Sequence, residues 1–486
     1  MSFVSFEFLL LVAVTVLIYY LLPHRFRWIW LLAASFFFYL SYDPRYAIFL
    51  AVSILTTYAS GLLIAKSETA GRKKLWVVLC LLVNVGILLT LKYLNFFSSI
   101  AAGIVFGSGG AAPKFNLLLP AGISFYTFQS LSYTIDVYRG DAEPERHLGK
   151  YALFVSFFPT LLSGPIQKAK EGLKRFDEEH FFDYDEARRG CLLVLFGYFE
   201  KTVVADRLCI PVNTVYADPS KYHGLASLIA VLFYSLQIYC DFAGYSNIAI
   251  GVSELLGFRL ARNFDRPYFA GSVREFWRRW HISLSSWLRD YLYFPLGGSR
   301  CSMPRQCLNV MIVFVVCGLW HGASLTFLVW GALHGLYQVV GRLTKEPRRK
   351  LCEKLRIDAA SGLWHAARVA FTFLLVTFAW IFFRAASLPD AFTVIGSLFR
   401  FDPAAFANPA SLGLGMTGAD LAVALIGLLL VWLADVLRKK GDPRDFILKK
   451  KTAVRWSFYV TAALVLLFLG QYGPISGAQS FIYAQF

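Results

Sequence analysis

From Gln306 to Gly341 the chain carries no Asp, Glu, Lys or Arg, and near the middle of that stretch stands Trp320-His321-Gly322. Drawn as one helix it would run about 54 Å at about 1.5 Å per residue. A bilayer core is only about 30 Å thick, so the stretch must bend, break or pair with itself. Gly318 and Gly322 bracket the histidine and put the break there. A titratable imidazole at membrane depth is costly unless it serves a pathway or a reaction. His321 is therefore the first candidate site residue.

Long apolar runs and short basic loops alternate along all 486 residues, 57% of which are hydrophobic, with mean hydropathy +0.54. This pattern predicts an all-α polytopic membrane protein of roughly eleven transmembrane helices, with re-entrant and interfacial helices besides. A β-barrel would alternate apolar and polar residues, and these runs do not. The net charge of +17 follows from Lys and Arg gathered in cytoplasmic loops against anionic lipid. Because the basic runs flank apolar spans, they argue for a lipid surface and against nucleic acid. The eight cysteines form neither a CxxC pair nor a His/Cys spacing for a metal, so no metal site is expected. Cys80, Cys191, Cys240 and Cys317 read as small core residues. Cys301 and Cys307, near a helix end, read as thiols, with a disulfide or palmitoylation as the alternative. The N-terminus lacks the basic leader and cleavage site of a signal peptide. Its apolar core, about Phe8 to Leu22, precedes His24, Arg25 and Arg27 and reads as a retained first span, starting outside the cell and ending in the cytoplasm.

The apolar segments fall near 3–22, 28–41, 46–65, 75–95, 117–137, 150–166, 189–205, 224–253, 308–341, 367–385, 418–436 and 455–472. No linker and no internal repeat divides them, so a single membrane domain over 1–486 is expected. The basic stretches 66–74, 342–356 and 438–455 are the cytoplasmic candidates. Between Ser272 and Leu296, Trp277, Trp280, Leu284, Trp287, Leu288 and Tyr291 recur at three and four residues. Glu275, Arg278, Arg279, Ser286 and Arg289 fall mainly opposite. That spacing predicts one amphipathic helix at a membrane interface, with His281 on its apolar, bundle-facing side.

His281 and His321, forty residues apart, are the two histidines to follow. A histidine at depth acts as a general base at neutral pH if burial does not depress its pKa too far; the alternative is a structural, hydrogen-bonded imidazole. His334 lies thirteen residues after His321, roughly 140° around a continuous helix, so the two do not make a metal pair. Leu363-Trp364-His365 repeats the triplet without the glycine and reads as a helix end. Asp241 is the only acid between Gly224 and Ser253. It marks either a polar cavity, with Tyr245, Ser246 and Asn247 on the same surface, or an ion pair with Arg262 or Arg266. Asp136 and Ser163-Gly164-Pro165 read as polar turns inside the bundle. Arg274, Arg278, Arg279 and Arg289 suit either the phosphates of a nucleotide-bearing donor or lipid headgroups. There is no Walker motif, Rossmann fingerprint or nucleophile elbow, so an activated acyl group would have to be received from elsewhere.

Taken together these motifs resemble the membrane-bound O-acyltransferase superfamily, in its bacterial polysaccharide O-acetylation branch. The segments that carry the resemblance are LPAGISFYTFQSLSYTIDVYRG (119–140), FFPTLLSGPI (157–166), DFAGYSNIAIGVSELLGF (241–258), NFDRPYFAGSVREFWRRWHISLSSWLRDYLYFPLGGSR (263–300), GLWHGASLTFLVWGALHG (318–335) and WIFFRA (380–385). They lie within 119–385, in the family's order; the stretch 400–486 carries C-terminal helices without a transferable motif.

The resemblance implies helices around a central funnel or tunnel, and an acyl group passing from a cytoplasmic thioester toward the exoplasmic side. His321 matches the family's catalytic histidine and His281 its second position. The implied donor is acetyl-CoA, with no bound cofactor, and the implied partner is a separate exoplasmic SGNH-like acyltransferase acting on a cell-surface polysaccharide. The candidate substrate-lining residues are Trp320, Asp241, Tyr245, Asn247, Arg278, Arg279, Trp280 and Ser283. The implied location is the bacterial cytoplasmic (inner) membrane. Two alternatives stand beside this reading. One is D-alanyl transfer from an acyl carrier protein to a cell-wall polymer; the other is a proton-coupled transporter using the buried histidines and Asp241 as a relay.

Overall fold

The computed structural model describes residues 1–106, 113–358, 360–400, 412–472 and 481–482, and all regular structure among them is helical. In chain order the principal helices are α1 (Phe6–Leu21), α2 (His24–Leu40), α3 (Tyr46–Lys66), α4 (Ala70–Phe106), α5 (Ile123–Arg139), α6 (Leu148–Ser156), α7 (Tyr184–Tyr198), α8 (Asp206–Ala217), α9 (Leu225–Leu255), α10 (Val273–Arg279), α11 (Ile282–Leu288), α12 (Met303–His321), α13 (Leu325–Leu343), α14 (Gly362–Arg384), α15 (Gly418–Arg438) and α16 (Thr452–Leu469). Seven of these (α3, α4, α9, α12, α14, α15 and α16) are long and apolar enough to cross a membrane, and α1 is apolar but shorter. The architecture is that of a polytopic α-helical membrane protein, in which each span satisfies its own backbone hydrogen bonds.

The described residues form two compact units. The first comprises Met1–Val194 with Ile248–Ala261, and the second Leu195–Asn247 with Arg262–Phe486. In the first unit α3 and α5 pack through Leu50, Ile54, Tyr126 and Tyr133, with Tyr39 of α2 and Tyr151 and Phe154 of α6. Hydroxyl pairs cross this apolar core. Ser53 Oγ lies 3.0 Å from Ser130 Oγ, and Tyr151 donates to Thr57 Oγ1 at 2.6 Å. Inside a bilayer such interhelical bonds keep buried hydroxyls satisfied. Asp136 sits in α5 itself, since the polar residues of this segment are helical and not the expected turn. Cys80, Cys240 and Cys317 are buried as expected, but Cys191 is exposed on α7, facing outward from the apolar run that contains it.

In the second unit the charge-free stretch folds back on itself. α12 ends at His321, Gly322 adopts extended backbone, and α13 starts at Leu325. The two arms cross on glycines. A Cβ at Gly318 would lie 2.3 Å from the Phe327 carbonyl oxygen, and one at Gly331 2.3 Å from that of Phe314. Such contact is open only to residues without a side chain.

The expected amphipathic helix over 272–296 is broken. Ser272 caps α10 by accepting from the Glu275 amide, Trp280 turns extended, and His281 takes a left-handed conformation (φ 43°) before α11 begins. Trp277, Trp280 and Trp287 are buried in the protein. The three-and-four spacing is compatible with the break because Trp277 on α10 and Leu284, Trp287 and Leu288 on α11 are all buried.

Gly318→Ala forces backbone against backbone and, as an overpacking change, is expected to cost about 1–3 kcal/mol. Gly341→Ala, on α13 with nothing within 4 Å of its Cβ, is the matched control. Thermal unfolding in detergent should separate them, and equal midpoints would refute the glycine crossing.

Candidate functional site

His321 is the last residue of α12 and is 3% exposed. Its position follows from the glycine crossing one turn earlier and from Gly322, where a Cβ would lie 2.1 Å from the Phe327 ring. Its imidazole meets Trp320, Trp330 and Phe383 edge-on, with ring centroids 4.9, 5.0 and 5.2 Å away. Trp380 stacks behind Trp330 at 5.5 Å. An aromatic enclosure of this kind holds little water and strengthens any electrostatic interaction inside it.

His281, fully buried, stands at the start of α11. Phe242 packs edge-on against it at 4.7 Å, and Trp320 lies 5.9 Å away, so one indole touches both histidines. Asn263 holds the turn: its carbonyl accepts from the Ile282 amide at 2.9 Å, and its Oδ1 accepts from Ser283 Oγ at 2.8 Å and lies 3.3 Å from His281 Nδ1. His281 lies between two short helices, outside the seven spans. Burial pushes its pKa down from the ordinary histidine value to about 3, which keeps the ring neutral.

Asp241 finds a different partner from the one expected. Lys201 Nζ lies 2.6 Å from Asp241 and 2.8 Å from Asp206, all three buried, while the Ile482 amide donates to the second Asp241 oxygen at 3.0 Å. Arg262 pairs instead with Asp442, and Arg266 with Asp265. Lys201 belongs to a π-helical turn, Phe199–Ala205, against which Gly244 of α9 packs: a Cβ there would lie 2.7 Å from the Gly197 carbonyl and 3.1 Å from the Lys201 amide. Tyr245 lies over the Lys201 ammonium and against Phe481, so the far C-terminal residues reach this site. Asn247 donates to Glu200 at 2.6 Å.

The remaining sequence candidates divide between the interior and the surface. Trp280 is buried among Phe264, Phe276 and Trp380, and Ser283 is held by Asn263. Arg278 and Arg289 are exposed, and Arg279 is half-buried in an ion pair with Glu275 at 2.6 Å. His334 accepts from Trp277 Nε1 at 3.1 Å, and His365 is exposed in the first turn of α14. Among the described residues no cluster of three or more His, Cys, Asp or Glu side chains is placed to hold a metal. Lys201 and Asn263 were missed as partners. The Glu-Lys pair inside the apolar run 189–205 was the available signal for the first, and nothing in the spacing pointed to the second.

Over 483 residues the chain is 36% identical to a probable alginate O-acetylase AlgI of Pseudomonas putida, covering 96% of each protein. The chain belongs to the membrane-bound O-acyltransferase family. The family model itself matches residues 145–383, which include both histidines and the Lys201–Asp241 pair. A peptidoglycan O-acetyltransferase of Helicobacter pylori is 33% identical over 393 residues, 76% of this chain and 72% of that protein. A teichoic acid D-alanyltransferase of Bacillus subtilis is 28% identical over 239 residues, 46% of this chain and 59% of that one. This membrane-bound O-acyltransferase is thus an acyl-transferring enzyme and a multi-pass membrane protein.

Lys201→Met would leave two buried carboxylates uncompensated, and breaking such a pair costs about 3–5 kcal/mol. A large loss of folded protein on size-exclusion chromatography is expected, partly recovered in Lys201→Met/Asp241→Asn; no loss would show the triad to be dispensable. The His281 shift also has a signed consequence. An unfolded chain binds a proton below about pH 6.5 that the folded His281 refuses down to about pH 3. Its contribution is therefore preserved above about 6.5 and lost as pH falls through that window, by at most about 1.4 kcal/mol per pH unit. The wild-type-minus-His281→Asn difference in unfolding midpoint should grow less favourable from pH 6.5 downward, and a flat difference would refute burial of a neutral ring.

Proposed function

We propose that this O-acyltransferase takes an acetyl group from cytoplasmic acetyl-CoA and passes it across the membrane for O-acetylation of an exported cell-surface polysaccharide. The observation that carries this reading is His321, in an aromatic enclosure at the end of a charge-free helix, in a chain similar along nearly its whole length to an alginate O-acetylase. His321 acts as general base: it takes the proton of an acceptor hydroxyl as that oxygen bonds to the acetyl carbonyl carbon. The C–S bond then breaks, and the departing thiolate receives the proton. A thioester is already activated, so base catalysis, worth about 10²–10⁴-fold, and positioning in a water-poor site are what the protein must supply. His281 assists by orienting a substrate group. Trp320, Trp280, Tyr245, Asn247 and Ser283 line the reacting region, and Asp241 holds its shape through Lys201. Arg278 and Arg279 meet the donor's phosphates at the cytoplasmic face.

The donor is a substrate, and no resident cofactor is called for. A separate exoplasmic SGNH-like acyltransferase completes delivery to the polymer. The enzyme sits in the bacterial cytoplasmic membrane with its N-terminus exoplasmic, in line with the basic residues that follow the first span. The likeness to a D-alanyltransferase covers less than half the chain, which favours acetyl over D-alanyl as the acyl group.

The test is acetyl release from labelled acetyl-CoA by purified protein in nanodiscs. His321→Ala is expected to lose about 10²–10⁴-fold in turnover. His365→Ala, whose exposed ring repeats the Leu-Trp-His triplet, should keep wild-type turnover. Equal activity of wild type and His321→Ala would reject His321 as the base, and inactivity of wild type with acetyl-CoA but not with an acyl carrier protein would transfer the reading to the D-alanyl donor.

A further inference from the structure

One asparagine settles which nitrogen of His281 carries the proton. Asn263 Oδ1 lies 3.3 Å from the Ser283 amide nitrogen, 2.8 Å from Ser283 Oγ and 3.3 Å from His281 Nδ1, while Asn263 Nδ2 donates to Ser246 Oγ at 3.2 Å. A backbone N–H can only donate, so the Ser283 amide identifies the side-chain atom facing it as oxygen and fixes the orientation of the Asn263 amide. That oxygen has no proton to give. A hydrogen bond to His281 therefore requires the proton on Nδ1, and a neutral ring then carries its lone pair on Nε2.

We propose that Asn263 is a positioning residue that holds His281 as the Nδ1-protonated tautomer, so that His281 receives a hydrogen bond at Nε2 from an N–H or O–H group of the substrate. The proposal rests on the reading that His281 assists acyl transfer, and it separates two roles otherwise open to that residue. A lone pair at Nε2 repels a developing oxyanion, which needs a donor. Only a protonated ring would donate there, and burial keeps the ring neutral. The hydroxyl deprotonated by His321 has no second proton to offer. On the reading that His281 assists acyl transfer, the substrate group that suits this nitrogen is an amide N–H of the acyl donor's arm or another hydroxyl of the acceptor. The φ of 43° at His281 supports the same assignment: a non-glycine residue held in that region persists where its surroundings over-determine it. Here the Asn263 carbonyl and side chain bond the two residues that follow.

The full chain, labelled with ¹⁵N-histidine in nanodiscs, provides the direct test. His281 resonances are found by difference against His281→Asn, a residue that tolerates positive φ. The expected wild-type spectrum has a protonated Nδ1 and a bare Nε2; a protonated Nε2 overturns the proposal, whether or not any Asn263 variant folds. In Asn263→Leu the Nδ1 preference should disappear and turnover of labelled acetyl-CoA fall about 10–100-fold, the usual scale for a residue that orients a functional group. Asn263→Leu/His281→Asn should be no slower than His281→Asn alone, whereas independent losses would show that Asn263 does not act through His281. A raised KM for acetyl-CoA in Asn263→Leu places the bonded group on the donor, and a lowered kcat at unchanged KM places it on the acceptor. Wild-type turnover in His281→Asn would sink the assisting role of His281 itself, and with it the functional half of the proposal, while the spectrum still reads the tautomer.

Discussion

Two glycines facing each other, Gly318 and Gly331, let α12 and α13 meet backbone to backbone, and the position of His321 depends on that contact. In lipid there is no hydrophobic gain from pressing one apolar helix on another, so close packing has to supply the attraction. Small residues supply it by removing the side chains that would hold the helices apart. The hairpin then delivers His321 to a helix end instead of a helix middle, where the chain is free to turn and the imidazole is walled by Trp320, Trp330 and Phe383.

The charged residues of the second unit obey the complementary constraint. A buried carboxylate is tolerable only with partners, and Lys201 serves two of them from a π-helical turn. The π turn matters because it widens the helix where Gly244 brings α9 against it. The C-terminal residues close the same arrangement: the Ile482 amide takes the second oxygen of Asp241, and Phe481 covers Tyr245 and Phe242. Phe242 in turn packs against His281. The ion triad and the second histidine are thus joined through contiguous side chains, which makes the triad part of the site's frame without requiring it to touch substrate.

What could be read from the chain alone divides along physical lines. The membrane class and the break in the charge-free stretch at Gly318 to Gly322 were legible because length without charge is a hard limit set by bilayer thickness. The resemblance of the motifs around His281 and His321 led to the right family. Periodicity failed over 272–296, since a stripe at three and four residues is compatible with two short helices joined by an extended residue. The Asp241 partner was misassigned to Arg262 or Arg266, nearby in sequence, because an ion pair carries no local signature. Lys201 is forty residues away and meets Asp241 only once α9 has packed. The same holds for Asn263, whose four hydrogen bonds gather residues from three places in the chain.

The two histidines differ in what their placement costs the fold, and that difference bears on their proposed roles. His321 needs only a helix that stops, and its last turn is ordinary α-helix. His281 sits in a sparsely populated backbone region, kept there by a loop residue that bonds both its ring and the amides after it. Strain of that kind is removed readily by a glycine or asparagine unless the side chain must stand at that spot and in that tautomer. A residue that recognises a fixed N–H or O–H cannot change tautomer, because the wrong one turns acceptance into repulsion, and a base has the same need for its bare nitrogen toward the hydroxyl. At His281 the strain and the asparagine clamp act on one ring, so a single loop residue sets both where that ring stands and which of its nitrogens is bare.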